Sequence, residues 1–170
     1  MERGRNMKIR THCTEDERDE VFNRYAAMVY RIALTQTRSA SDAEDIFQEV
    51  FLRYFQKERT FQNGEHKKAW LINVTLKCCK KFRSSSWFRK TVPLKDTLSI
   101  EMPAEESAIY DAILELPEKY RRVIQLFYFE EMSVDEIHQA LGAKPSTIRT
   151  QLTRGRAMLR EKLRGEYFYG

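Results

Sequence analysis

The chain has 170 residues, 42% of them hydrophobic and 32% charged, with a formal net charge of +5. That length suits one or two small globular domains and argues against a single large catalytic core, while the positive balance points to an anionic partner. No apolar run approaches the roughly 18 residues of a membrane span, and the N-terminal MERGRNMKIRTHCTEDERDE lacks the apolar centre of a signal peptide. The expected location is the cytosol, with no insertion into a membrane.

Six glycines, four prolines and apolar residues recurring every three or four positions predict an all-α chain. Three cysteines, Cys13 beside His12 and the adjacent Cys78 and Cys79, fit neither a disulfide framework nor a usual zinc spacing. They are read as reduced, buried or half-buried thiols, with no metal and no other cofactor expected. Charge is segregated: residues 65–90 carry a net +7, residues 91–141 a net −7, and residues 144–164 a net +6. Two basic surfaces, one in each half, are therefore expected.

The first informative segment is DAEDIFQEVFLRYF at 42–55. On a helix, Ala43, Phe47, Val50, Phe51 and Tyr54 share one stripe, and Asp45, Gln48 and Glu49 lie opposite it. Leu52 falls among those polar groups with Phe55 beside it, a pattern that fits a protein-docking surface; a solvated face with one stray leucine is the alternative. A second helix, KKAWLINVTLKCCKKFR, buries Leu71, Val74, Cys78 and Phe82 and projects Asn73, Lys77 and Lys80, with Lys81 at the edge. Phe61, His66 and Trp70 precede or open it. Aromatic platforms beside a basic groove suit single-stranded nucleic acid, although Trp70 reads first as core.

Positions 91–107, TVPLKDTLSIEMPAEES, hold two prolines and no helical stripe, and read as a linker. After Leu116, Pro117 opens a helix whose Val123, Ile124, Phe127 and Tyr128 supply an apolar packing side. Ser133 and Glu136 then form a capping box, with Met132 and Ile137 at the staple positions. Val134, Ile137 and Leu141 make the stripe of that helix, Gly142 ends it, and Pro145 suits the first turn of the next. This is a helix-turn-helix. Lys144 is a poor N-cap for the second helix, and Ser146 is the better capping residue.

In that second helix Ile148, Leu152, Gly155, Leu159 and Leu163 fall on one inward face. Thr150, Thr153, Arg154 and Ala157 face outward, with Thr147 near them and Arg149, Arg156 and Arg160 along a flank. Short polar groups with an arginine suit base edges in a major groove, and flanking arginines suit phosphates. Arginines that offset the helix dipole are the bland alternative; it accounts for Arg160, Lys162 and Arg164 but not for Arg149, Arg154 and Arg156 among threonines. The aromatic tail GEYFYG has no assigned role.

Taken in order, DAEDIFQEVFLRYF, FQNGEHKKAWLINVTLKCCKKF and LPEKYRRVIQLFYFEEMSVDEIHQALGAKPSTIRTQLTRGRAMLREKL resemble regions two and four of a bacterial extracytoplasmic-function (group 4) sigma factor, over residues 20–164. The resemblance implies two small helical domains, residues 15–90 and 108–165, joined by a flexible linker at 91–107. The first would bind the clamp helices of core RNA polymerase and open the −10 promoter element; the second would read the −35 element. Asp45, Gln48 and Glu49 match the family's D-x-x-Q-E motif, with Leu52 beside them, and Thr147, Ile148 and Arg149 match its T-V-K motif. By the same resemblance Phe61, Trp70, Asn73, Lys77, Lys80 and Lys81 would meet the −10 region, melted as well as duplex. Thr147, Arg149, Thr150, Thr153, Arg154 and Arg156 would meet the −35 region. The family commonly has Asn and Asp where this chain has Lys77 and Lys81, so a −10 base preference is not carried over. The linker would thread through the polymerase, and an anti-sigma protein would hold the factor inactive.

The main rival is a free-standing DNA-binding regulator that uses the helix-turn-helix alone. The Leu52 face and the second basic helix favour the sigma factor. An enzyme acting on nucleic acid is disfavoured because no nucleophile and base accompany the acids near Asp42.

Overall fold

The computed structural model describes residues 14–57, 59–84 and 104–168, and among these every regular element is a helix. The elements are α1 (Glu15–Thr37), α2 (Ala40–Gln56), α3 (Gly64–Ser84), α4 (Ala104–Leu114), α5 (Glu118–Tyr128), α6 (Val134–Leu141) and α7 (Pro145–Phe168). The all-α expectation holds.

Local chemistry sets most of the boundaries. The Thr14 hydroxyl accepts the Glu17 N–H at 3.3 Å while the Glu17 carboxylate accepts the Thr14 N–H at 3.0 Å, which starts α1 with a capping box. Glu15 and Asp16 add negative charge at the positive end of the helix dipole. Arg38, at φ 60°, turns the chain out of α1, and the Ser39 hydroxyl caps α2 by accepting the Asp42 N–H at 3.3 Å. Asn63 does the same for α3, its Oδ1 accepting the His66 N–H at 2.9 Å.

Helices α1, α2 and α3 pack on one another around fully buried Val29, Ile32, Ala43, Ile46, Val50, Leu71 and Ile72. Cys78 and Cys79 belong to this core; burial raises both thiol pKa values, that of Cys79 to about 12, so neither is a reactive thiolate. Cys13 and His12 lie outside the described residues.

The second half builds its core from Leu116, Val123, Ile124, Leu126, Ile137, Ile148 and Leu152. Helices α5 and α7 cross closely at Gly155, where an added Cβ would stand 3.0 Å from Ile124 Cγ1. The turn between α6 and α7 is as the sequence predicts, with Gly142 at φ 70° donating its N–H to His138 O at 2.8 Å. The Ser146 cap is not: Ile148 N–H bonds Lys144 O at 3.0 Å, so Lys144 caps α7 through its backbone and Ser146 lies in the first turn. Buried Arg121 donates to Leu114 O at 2.8 Å and Leu116 O at 3.1 Å, satisfying carbonyls at the end of α4. Burial lowers its pKa to about 10, which still leaves a cation at neutral pH.

Two readings are corrected. Helix α4 begins at Ala104, so the last four positions of the span read as linker are helical; 91–103 lies outside the described residues. Tyr128, read as a packing residue, is 52% exposed, because it sits on the last turn of α5 and lines an open groove rather than a closed core.

The halves meet where α1 faces α5 and α3 faces α6. Glu130, its side chain 4% exposed, accepts both Arg31 Nη2 at 2.9 Å and Arg31 Nε at 3.2 Å, and its backbone carbonyl accepts Lys68 Nζ at 3.0 Å. Buried Gln36 donates to Gln125 Oε1 at 3.1 Å, Thr35 and Tyr110 share a hydrogen bond of 3.1 Å, and Arg83 pairs with Glu118.

The α6 cap carries a pH signature. Glu136 accepts from the Ser133 N–H at 2.7 Å and from its hydroxyl at 2.8 Å, and these bonds hold its carboxyl below the usual pKa. A carboxylate with a depressed folded pKa stabilises the fold above its unfolded value, and that contribution is lost as pH falls through the folded value. Ser133→Ala should lower stability by about 1 kcal/mol at neutral pH, with the deficit shrinking below the ordinary carboxylate range. Urea unfolding of both proteins across that pH range checks this.

Candidate nucleic-acid interface

Burial of Ile148, Leu152 and Gly155 fixes the rotation of α7, and Thr147, Arg149, Thr150, Thr153, Arg154 and Arg156 are all exposed as the sequence predicts. The threonine hydroxyls are already donors within the helix: Thr150 to Ser146 O and Thr153 to Arg149 O, each at 3.0 Å. Their oxygens remain free to accept, and their methyls to pack, which suits donor amino groups or thymine methyls in a major groove.

The arginines divide between two sides of α7. Arg154 lines a polar hollow of about 360 Å³ with Thr147, Thr150 and two α5 residues, Lys119 and Tyr120. Arg156 stands over the rings of Phe127 and Tyr128, 5.7 and 5.8 Å from their centroids. It borders an apolar groove of about 590 Å³ formed by Ile109, Ile113, Tyr128, Phe129, Leu159 and Leu163, with Arg160 and Arg164 also on the rim. Neither the groove nor the α5 residues beside Arg154 were expected, because both depend on how α4 and α5 cross α7.

On the first half, Asp45, Gln48 and Leu52 are exposed along α2, Leu52 by 53%. Glu49 is half-exposed and accepts Arg53 Nε at 2.6 Å, one helical turn on; that hydrogen bond is the first cause of the raised Arg53 pKa. The spacing is the ordinary i,i+4 pairing distance and was legible in the sequence. Phe22 of α1, 43% exposed, packs on the other stripe of α2, its ring 5.7 Å from Phe47 and 5.2 Å from Phe51. It was missed because α1 was not singled out.

The residues expected at the −10 region are not brought onto one open surface. Phe61 and Trp70 pack edge to face at 6.0 Å, Tyr54 stacks on Phe61, and the Arg59 guanidinium covers the indole at 4.3 Å. Trp70 is therefore half-buried in an aromatic cluster. Asn73 donates its amide to Ala140 O at 2.7 Å, and α6 covers this part of α3. Lys77, Lys80 and Lys81 are exposed further along. Among the described residues no group of three metal-ligating side chains occurs, and no helix is long and apolar enough to cross a membrane.

Comparison with known proteins gives the family. Residues 21–89 match the family Sigma-70 region 2, and residues 106–159 match Sigma-70, region 4. The ECF RNA polymerase sigma factor SigE of Mycolicibacterium smegmatis is 31% identical over 157 residues, an alignment spanning 85% of this chain and 61% of that protein. The ECF RNA polymerase sigma factor SigL of Mycobacterium tuberculosis is 31% identical over 142 residues, spanning 78% of this chain and 80% of that one. In fold, the sigma factor RpoE of Bartonella quintana, solved in complex with the anti-sigma factor NepR, gives a TM-score of 0.71 at 18% identity, with 86% of this chain and 96% of that chain covered. Regions 2 and 4 in this order define a promoter-specificity subunit of bacterial RNA polymerase. The chain belongs to the extracytoplasmic-function sigma factors. It directs core polymerase to promoters to initiate transcription and catalyses no reaction itself.

The seam between the halves bears on that role, since it holds Asn73. Charge-assisted hydrogen bonds contribute about 1.5–3 kcal/mol, and the half-exposed Arg31 puts the Arg31–Glu130 pair at the low end of that range. Glu130→Ala should increase the radius of gyration in solution scattering and leave the far-ultraviolet helix signal unchanged. An unchanged radius would show that the other contacts hold the seam without this pair.

Proposed function

We propose that this chain is a cytoplasmic sigma factor of group 4 in which α1–α3 bind core polymerase and open the −10 element, while the half that begins with α4 reads the −35 element. One observation carries the reading: the docking face of α2 and the exposed lysines of α3 belong to one helical body, and the basic face of α7 belongs to another. A free-standing regulator needs only the second. Asp45, Gln48, Glu49 and Leu52 form the polymerase-binding face. Phe61, Trp70, Asn73, Lys77, Lys80 and Lys81 serve the −10 region, and Thr147, Arg149, Thr150, Thr153, Arg154 and Arg156 the −35 region.

Geometry adds that the seam opens when promoter is bound. The two elements lie about 25 base pairs apart, on the order of 85 Å of duplex. A compact chain of this length has a radius of gyration of only about 15 Å. The halves therefore cannot reach both elements while Asn73 is held by Ala140 O and Glu130 by Arg31. Control by an anti-sigma protein is supported by the likeness in fold to RpoE, which was solved with NepR bound, and by the apolar groove beside α7, whose arginine rim suits an acidic partner helix.

Reversing the charge at the docking face tests the polymerase assignment. Glu49→Lys should abolish binding to core polymerase while lowering stability by no more than about 1 kcal/mol, the loss of the Arg53 pair plus like-charge repulsion; co-purification and thermal unfolding read the two effects. Retained binding would remove α2 from the interface.

Strand opening is tested separately. Disrupting duplex stacking costs about 1.4 kcal/mol per base-pair step, and nothing in the free chain supplies that energy. The purified chain should leave promoter DNA closed, and addition of core polymerase should produce a permanganate-reactive bubble and a defined transcript. Lys77→Glu with Lys80→Glu should suppress the bubble more than it suppresses polymerase binding. Tight sequence-specific binding without polymerase, and no transcript with it, would favour the free-standing regulator.

A further inference from the structure

The hollow beside α7 has a second wall that no motif predicted, the first turn of α5. Tyr120 lies against α7 at its one inward glycine: an added Cβ on Gly155 would stand 3.4 Å from Tyr120 Cβ, ordinary contact distance. From there Tyr120 lines the hollow together with Arg154, and Arg154 is the first cause that lowers the hydroxyl's pKa; Lys119 lowers it further. Lys119 Nζ stands 4.9 Å over the Tyr120 ring. Lys119, Tyr120 and Arg154 thus share one polar hollow with Ser146 and Thr147 at the start of α7.

We propose that Tyr120 is a positioning residue for Arg154, holding its guanidinium at the mouth of this hollow in the pose that reads a base, and that Lys119 beside it takes a phosphate of the same DNA. The inference rests on the assignment of α7 as the base-reading helix. An arginine has five N–H donors in a planar fork. A phenol oxygen that accepts one of them leaves a pair free for the two acceptors of a guanine edge. An exposed arginine without such an anchor must surrender its rotamer freedom on docking, and it docks less selectively because several poses compete. Tyr120 is well placed for this because its Cβ packs beside Gly155, the residue next to Arg154, so the anchor moves with the reading helix.

The test uses holoenzyme reconstituted from the full chain and core polymerase, presented with a promoter library randomised upstream of the −10 element. Wild type, Tyr120→Phe, Arg154→Ala, the double variant and Lys119→Ala are compared by transcript yield for each promoter. Tyr120→Phe keeps the ring and its Cβ beside Gly155 and removes only the oxygen. It should lower discrimination at the base pair read by Arg154 about five-fold, within the span of one side chain's base reading, leave other positions unchanged, and have no further effect once Arg154 is alanine. Thermal unfolding of the free chain should not shift. Lys119→Ala should weaken all promoters alike and reduce the slope of binding against salt by about one. If Arg154→Ala relaxes one base pair while Tyr120→Phe does not, or if the two variants act additively, the positioning role is overturned. If Arg154→Ala leaves selectivity intact, the base-reading assignment falls and the positioning role falls with it. A Lys119→Ala effect confined to one base pair would overturn the phosphate contact.

Discussion

A carboxylate removed from water needs both oxygens satisfied, and the arrangement of this molecule turns on how Glu130 meets that demand. An isolated buried charge would neutralise or expel itself, but Arg31 of α1 approaches Glu130 with two nitrogens. The geometry is demanding. The chain leaves α5, passes Glu131 at φ 52° and enters α6 through the Ser133 cap, so the pair also fixes where α6 begins relative to α1. With α6 so placed, its last turn lies on α3 and Ala140 O receives the Asn73 amide. One ion pair between halves thus helps to cover part of the proposed −10 surface while α7 remains exposed.

The helix-turn-helix was legible because its signals are local. A capping box, a glycine that adopts the left-handed conformation and a proline at a first helical position lie within thirteen residues and act on their own backbone. Helix α1 was not singled out, although its Thr14–Glu17 box is of the same kind. Its last six residues, Ile32 to Thr37, are all buried, Thr35, Gln36 and Thr37 included, so no exposed face marks a periodicity there. Helix α4 was overrun by the linker reading for a related reason: the Ala-Glu-Glu-Ser of its first turn carries no apolar stripe, and Pro103 just before it looks like a breaker rather than a start.

At the site, exposure was readable and partnership was not. Every α7 residue assigned to DNA faces solvent, because the buried set on that helix leaves no other rotation. What holds those residues comes from distant sequence: Tyr120 against Arg154, Phe127 and Tyr128 beneath Arg156, Ala140 against Asn73. Such contacts are set by the crossing of helices at Gly155 and at the seam, and a single-helix periodicity carries no information about them. The Glu49–Arg53 pair is the exception, being one turn apart on one helix.

Two small basic faces on separate bodies are a physical choice with a consequence for specificity. Each face neutralises only a few phosphates, and affinity from counterion release scales with that number, so neither alone binds promoter tightly at physiological salt. Joined at the right spacing, the second contact becomes intramolecular and gains from a high effective concentration; at the wrong spacing the gain vanishes. The free chain has the wrong spacing, since the seam holds the bodies together. Core polymerase, by engaging the α2 face and holding the halves apart, would convert two weak readers into one selective one. Promoter selectivity then belongs to the assembly, and the seam lets the free subunit pass over DNA that only the holoenzyme should open.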